Sequence, residues 1–213
     1  MTSPPTFDAP LRFYGLEVGC RMTVLNLNGS LLLHSPLDVD PKAVEELGEP
    51  RWVLAPNRFH HLHVGPWLER GLEGFAAPGL SERRPDLDFA QVVDEECEPF
   101  GDEVLMIPLR CFPLANEVVV LHRPSRTLIV TDLVFHFTPS TPWLTRSVLW
   151  SSGAYPGPRV SIVEKLLTKR EIAREELGRL LDLDFDRLIM SHGAPFETGG
   201  KDALREAYRW LGM

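Results

Sequence analysis

The sequence predicts an α/β (α+β) fold in which packed sheet layers carry helices on their outer faces. Three observations point there. Short runs of aliphatic and β-branched residues fill the first half, with a strong hairpin signal at Asn28-Gly29. Strand-like and helix-like stretches mix in the second half. From Lys169 to Leu183 the apolar residues recur at helical spacing, with Ile172, Ala173, Leu177, Leu180 and Leu181 on one face and charges opposite. No long linker and no internal repeat interrupts the chain, so residues 1–213 are read as one domain.

The elements follow in order. Residues 1–10 are expected to be a loose lead-in. Leu11 to Val18 and Arg21 to Leu27 read as strands with Gly19 as the turn, and Asn28-Gly29 feeds a third strand, Ser30 to His34. Pro41 opens a short helix to Leu47, since proline suits a first helical turn. Arg51 to Ala55 is a short buried strand that runs into a histidine-rich loop. Trp67 to Gly71 is helical, Gly74 to Ala76 a short strand and Pro78 to Arg84 a helical turn. Pro85 to Asp102 is acidic and irregular, with one or two short strands. Val104 to Leu109, Glu117 to Leu121 and Thr127 to Val130 read as strands, with Pro124-Ser125 turning the last pair. Pro139 to Pro158, proline-rich and carrying Trp143 and Trp150, is a connection with a short helix inside. It is expected to pack over the core, a lid or partner surface being the alternative. Arg187 to Met190 is a buried strand and Lys201 to Leu211 a terminal helix.

Composition narrows the function. The chain has 22 Lys and Arg against 30 Asp and Glu, a net charge of −8, and no basic block. That argues against nucleic acid and against an anionic membrane surface as partners. The partner expected instead is a small-molecule substrate. Cys20, Cys97 and Cys111 are far apart and odd in number, which suits a reducing compartment and three buried, inert thiols. The start of the chain lacks a basic segment followed by an apolar one, and no apolar run approaches the roughly 20 residues that span a bilayer. A soluble cytoplasmic protein is expected.

Chemistry concentrates in two stretches. Pro56-Asn57-Arg58-Phe59-His60-His61-Leu62-His63 follows one strand, and Ile189-Met190-Ser191-His192-Gly193 ends another. Between them Thr131-Asp132 ends a third. Imidazoles and a carboxylate at the ends of separate strands are what a metal site requires. Ser35 and Ser191 lie in no nucleophile motif, and no phosphate loop or dinucleotide glycine fingerprint is present. His34 and His136 lie outside the cluster, and His122 is expected to be exposed.

In these residues and their order the chain resembles the metallo-β-lactamase superfamily. That superfamily's His-x-His-x-Asp-His motif falls on Pro56-Asn57-Arg58-Phe59-His60-His61, its Gly-Asp on Thr131-Asp132, and its last histidine on Ser191-His192-Gly193. Its opening meander ends where Leu33-His34-Ser35-Pro36 stand. Its middle histidine falls near Phe112 to Glu117, where no histidine is present. The resemblance implies a four-layer αββα sandwich. It also implies that the first of two adjacent metal sites is lost and that the second survives as His60, His61, Asp132 and His192. His61, Asp132 and His192 would be the retained ligands, with His60 in the aspartate's place. One Zn²⁺, Fe²⁺ or Mn²⁺ would fit, activating water for hydrolysis of a small ester, thioester, lactone or phosphoester. Arg58, in a lost ligand position, would supply a fixed cation for an anionic group. Glu117 is a candidate ligand or general base, beside its reading as a solvated or ion-paired strand-start residue. Two other functions stay open: a non-catalytic protein that binds a ligand or partner in the same cleft, and an iron-dependent redox enzyme.

Overall fold

The computed structural model describes residues 2–212. In chain order the elements are β1 (Thr6–Ala9), β2 (Arg12–Phe13), β3 (Leu16–Glu17), β4 (Cys20–Leu27), β5 (Ser30–His34), α1 (Pro41–Glu45), β6 (Glu49–Ala55), α2 (Val64–Glu69), β7 (Glu73–Ala76), α3 (Leu80–Arg83), β8 (Gln91–Val92), β9 (Pro99–Asp102) and β10 (Val104–Pro108). There follow β11 (Val118–His122), β12 (Thr127–Ile129), β13 (Phe135–Phe137), α4 (Trp143–Ser151), β14 (Gly157–Arg159), α5 (Ile162–Leu167), α6 (Arg170–Asp182), β15 (Arg187–Ile189) and α7 (Gly200–Tyr208).

Two sheets face each other. One has six strands in the order β1-β4-β5-β6-β7-β8, the other four in the order β10-β11-β12-β15. Alternation along each strand divides the apolar residues between the two faces. Leu32, Leu54, Met106, Val120, Ile129 and Ile189 point between the sheets and form the central core. Leu31, Leu33, Val53 and Ala55 point the other way, onto Val44, Val64, Trp67 and Leu80 of the helices outside the first sheet. Leu105, Val119, Leu128 and Leu188 meet Ala173, Leu177, Leu180, Leu204 and Ala207 of α6 and α7 outside the second. Helix, sheet, sheet, helix is the αββα sandwich that the resemblance implied. No described helix is long and apolar enough to cross a membrane.

Several elements differ from expectation. Thr6–Ala9 is not a loose lead-in but pairs antiparallel with β4, from Thr6↔Thr23 to Ala9↔Cys20; Met1 lies outside the described residues. The strand expected over Leu11 to Val18 is broken into the small hairpin β2–β3, because Tyr14 and Gly15 both take positive φ. The antiparallel ribbon of β13 with β14 and the helix α5 carry no clear signal in so proline-rich a stretch. Trp143 and Trp150 do not pack over the core; both stand in solvent. His122, expected exposed, is buried with its Nδ1 2.7 Å from Ser125 Oγ. Of the cysteines Cys111 is buried, while Cys20 and Cys97 are only partly so, and all three are free thiols.

Candidate metal centre

The strand ends build the site. β12 and β15 lie side by side and parallel, with Ile129 opposite Ile189. Asp132 and His192 each follow three residues later, so they leave the sheet level with one another. His60 arrives from the other sheet, on the loop after β6. Its imidazole Nε2 lies 3.2 Å from His192 Nε2 and 3.5 Å from Asp132 Oδ2, and His192 Nε2 lies 3.4 Å from Asp132 Oδ1. These three residues form a group that could hold a metal ion.

Asn57 turns the loop that delivers His60. Its Oδ1 accepts from the backbone N–H of Phe59 and of His60, both at 2.8 Å. Its Nδ2 donates to Thr131 Oγ1 at 2.8 Å and to Asp132 Oδ2 at 2.7 Å. All four polar positions of this fully buried amide are used, so one side chain fixes the histidine loop and the carboxylate together. Asparagine is suited to this because its side chain mimics a backbone turn.

The other face of the Asp132 turn is held by Glu117. Its two carboxylate oxygens accept from Thr131 N–H at 2.6 Å and Asp132 N–H at 2.8 Å. Burial, and then the Asp132 charge, push this carboxyl up to about 7, against the backbone donors that lower it. Glu117 is therefore neither ligand nor solvated residue. It is a buried clamp that presents the Asp132 side chain to the histidines.

The imidazoles are oriented from behind. His192 Nδ1 donates to Gly19 O at 2.6 Å, which leaves its Nε2 lone pair facing the cluster. His60 Nδ1 is 2.8 Å from Ser35 Oγ, and Ser35 adopts φ 56° to bring its hydroxyl there. A ligand histidine whose second nitrogen is tied to a carbonyl or hydroxyl is the usual arrangement around a bound metal. Burial alone would raise the Asp132 carboxyl, but the two histidines outweigh it and hold the group ionised. Burial likewise lowers His192, while Asp132 and the Gly19 and Val18 carbonyls raise it above its ordinary value. The two imidazole nitrogens lie 3.2 Å apart, near the edge of a tetrahedron around Zn²⁺, about 3.3 Å for bonds near 2.0–2.1 Å, while the carboxylate faces His60 with Oδ2 at 3.5 Å and His192 with Oδ1 at 3.4 Å. The residues fit a divalent ion.

His61 does not join this group. The turn set by Asn57 directs it away, where its Nδ1 accepts from Arg84 Nη1 at 2.8 Å. Burial, with the charges of Arg84 and Arg83, lowers its basicity and favours the neutral acceptor form. Of the four expected ligands, three converge and His61 stands apart, so the order of the two neighbouring histidines is reversed: His60, not His61, faces Asp132. Arg58 makes no ion pair among the described residues, and its buried Nε has no hydrogen-bond partner. Ser35, Gly19 and Thr131 were given no role in the site by the sequence. The signal that could have found Ser35 is its place directly after an apolar strand, level with the loop after β6. Gly193 has φ +94°, and a Cβ there would lie 2.0 Å from His136 O. Only glycine lets the chain pass β13 immediately after His192.

No family model and no curated protein matches the chain at the level of sequence. Its structure matches solved metallo-β-lactamases over nearly its whole length. VMB-1 at pH 5.5 superposes with a TM-score of 0.69 at 7% identity, covering 100% of this chain and 96% of that one. The metallo-β-lactamase from Hirschia baltica gives 0.65 at 10% identity, covering 97% and 91%. FIM-1 from Pseudomonas aeruginosa in its mono-zinc form gives 0.64 at 10%, covering 97% and 89%. Identities this low establish the fold alone, and that fold is the metallo-β-lactamase fold.

Proposed function

We propose that this chain, built on the metallo-β-lactamase fold, is a hydrolase that uses one divalent ion held by His60, Asp132 and His192. One observation carries the proposal. Two imidazole nitrogens and a carboxylate, each oriented from behind by a carbonyl, a hydroxyl or an amide, converge from separate sheets. A three-residue donor set leaves an open position, as catalytic zinc sites do. Zn²⁺, Fe²⁺ or Mn²⁺ bound there would lower the pKa of water and polarise a carbonyl or phosphoryl oxygen. The substrate is a small ester, thioester, lactone or phosphoester.

The chain's own groups do the rest. Asp132 stays ionised and neutralises part of the ion's charge. Asn57 keeps its Oδ2 in line, and Glu117 holds the backbone that carries it. Arg58, free of any acid partner, is assigned to an anionic group of the substrate, a site where a planar guanidinium binds two oxygens at once. A second reading has support in the donor set itself. Two histidines and one carboxylate with open positions are also the ligands of non-haem iron oxygenases, so metal identity decides between hydrolysis and redox chemistry.

The test is metal content. Protein purified without a metal-affinity tag should carry close to one ion per chain, lost in His60→Ala, His192→Ala and Asp132→Asn but kept in His61→Ala. A wild type that stays metal-free when offered Zn²⁺, Fe²⁺ and Mn²⁺ would sink the proposal, as would two ions per chain. A loaded protein that turns over no ester or phosphoester would leave the binding and redox readings.

A further inference from the structure

Helices α4 and α5 are built inside out. On α5 the aliphatic residues Ile162, Val163, Leu166 and Leu167 all face solvent, while Glu164 and Lys165 turn toward the protein. An ordinary surface helix has the opposite arrangement. On α4 the buried side is Thr145 and the half-buried Leu149, while Trp143 and Trp150 are 71% and 69% exposed, with Leu144 and Val148 alongside. The two helices adjoin, since Ile162 N–H donates to Ser152 O at 2.8 Å. The β2–β3 hairpin, with exposed Phe13 and Tyr14, is joined to α4 by Glu17 N–H to Thr145 Oγ1 at 3.1 Å. So many large apolar side chains exposed on adjoining elements mark something that covers them.

We propose that the α4–α5 face docks on the surface of an anionic phospholipid bilayer. Charge decides the occupant. Residues 134–170 hold five basic residues and one acidic, net +4 in a chain of −8, so the remainder carries −12. The whole-chain charge that argued against a bilayer conceals this polarity. An anionic surface attracts the α4–α5 face and repels the rest, which orients the molecule with its apolar residues inward. A second copy placed symmetrically on this face would instead oppose two net positive surfaces. Exposed tryptophans beside basic residues are what membrane–water interfaces collect, and a helix with an exposed apolar face lies in that surface.

The experiment is sedimentation of the full chain with phosphatidylcholine vesicles, with and without phosphatidylglycerol. Binding should need phosphatidylglycerol, weaken as salt rises, and shift tryptophan emission to the blue. The triple variant Trp143→Ser, Trp150→Ser, Leu166→Ser should bind at least about tenfold more weakly. Its melting temperature should not change, because these side chains are exposed. Leu166→Glu alone provides a second variant with the same expected direction. No binding to phosphatidylglycerol vesicles, or variants that bind like the wild type, would overturn the proposal. So would a wild type that dimerises through this face, shown by monomeric variants in sedimentation equilibrium, without binding vesicles.

Discussion

His34, the last residue of β5, has both ring nitrogens buried without a hydrogen-bond partner. Burial, and then the neighbouring His60, push it down to about 3. The unfolded chain takes up a proton below about pH 6.5 that the folded chain refuses until about 3. Stability is therefore full above 6.5 and falls as pH drops through that window, by roughly 1.4 kcal/mol per unit from this group. His34→Leu removes an unpaired polar ring at similar bulk. We expect it to be at least as stable as wild type at pH 7 in urea denaturation, and about 2 kcal/mol better off at pH 5 than at pH 7 relative to wild type. An equal loss at both pH values would show that the ring has a partner. The sequence marked the histidines of the site but, through the resemblance, placed His61 ahead of His60 as a ligand, and the structure reverses that order. Which of two neighbouring side chains faces inward depends on a turn, and that turn is set by Asn57, whose four hydrogen bonds lie partly on residues more than 70 positions away. Glu117 was misjudged for the same reason: its partners, the Thr131 and Asp132 amides, lie on the turn after another strand, β12.

At the scale of elements, long periodic segments were legible and short ones were not. α6 buries Ala173, Leu177 and Leu180 on the face its spacing predicts. β10 and β11 alternate as their β-branched residues require. β2, β3, β13 and β14 have two or three residues each, too few for a period to register. Yet β13 confines the segment that carries His192: Ala194 N–H donates to His136 O at 2.9 Å, and His136 N–H to His192 O at 3.2 Å. Gly193→Ala forces a methyl into that carbonyl at a positive φ. It should cost more than about 3 kcal/mol or displace β13, lowering the melting temperature and the metal content together. A variant with both properties unchanged would mean that β13 does not brace the site.

At the scale of the molecule, the order of landmarks along the chain was enough to predict the αββα sandwich, because strand ends and loops recur in sequence order. What the order could not show is the tie between the sheets. Arg21, on β4 of the first sheet, donates from Nη1 to Met190 O at 3.0 Å and to Gly193 O at 2.7 Å, just past β15 of the second. Its Nη2 donates to Asp8 Oδ2 at 3.1 Å. Arg21→Met leaves two carbonyls unpaired and should destabilise the fold by roughly 2–4 kcal/mol. It should also weaken metal affinity at a residue that is not a ligand, which isothermal titration would detect; unchanged affinity would show that the tie is confined to stability. The parallel register that sets Asp132 and His192 level, with His60 supplied from the facing sheet, has one more consequence. Sliding one sheet past the other by a single residue, about 3.3 Å, would open the triangle while leaving each hydrophobic layer covered. The centre is therefore a gauge of alignment: the visible spectrum of Co²⁺ placed there would register a shear between the two halves of the chain that melting curves and far-ultraviolet dichroism would miss.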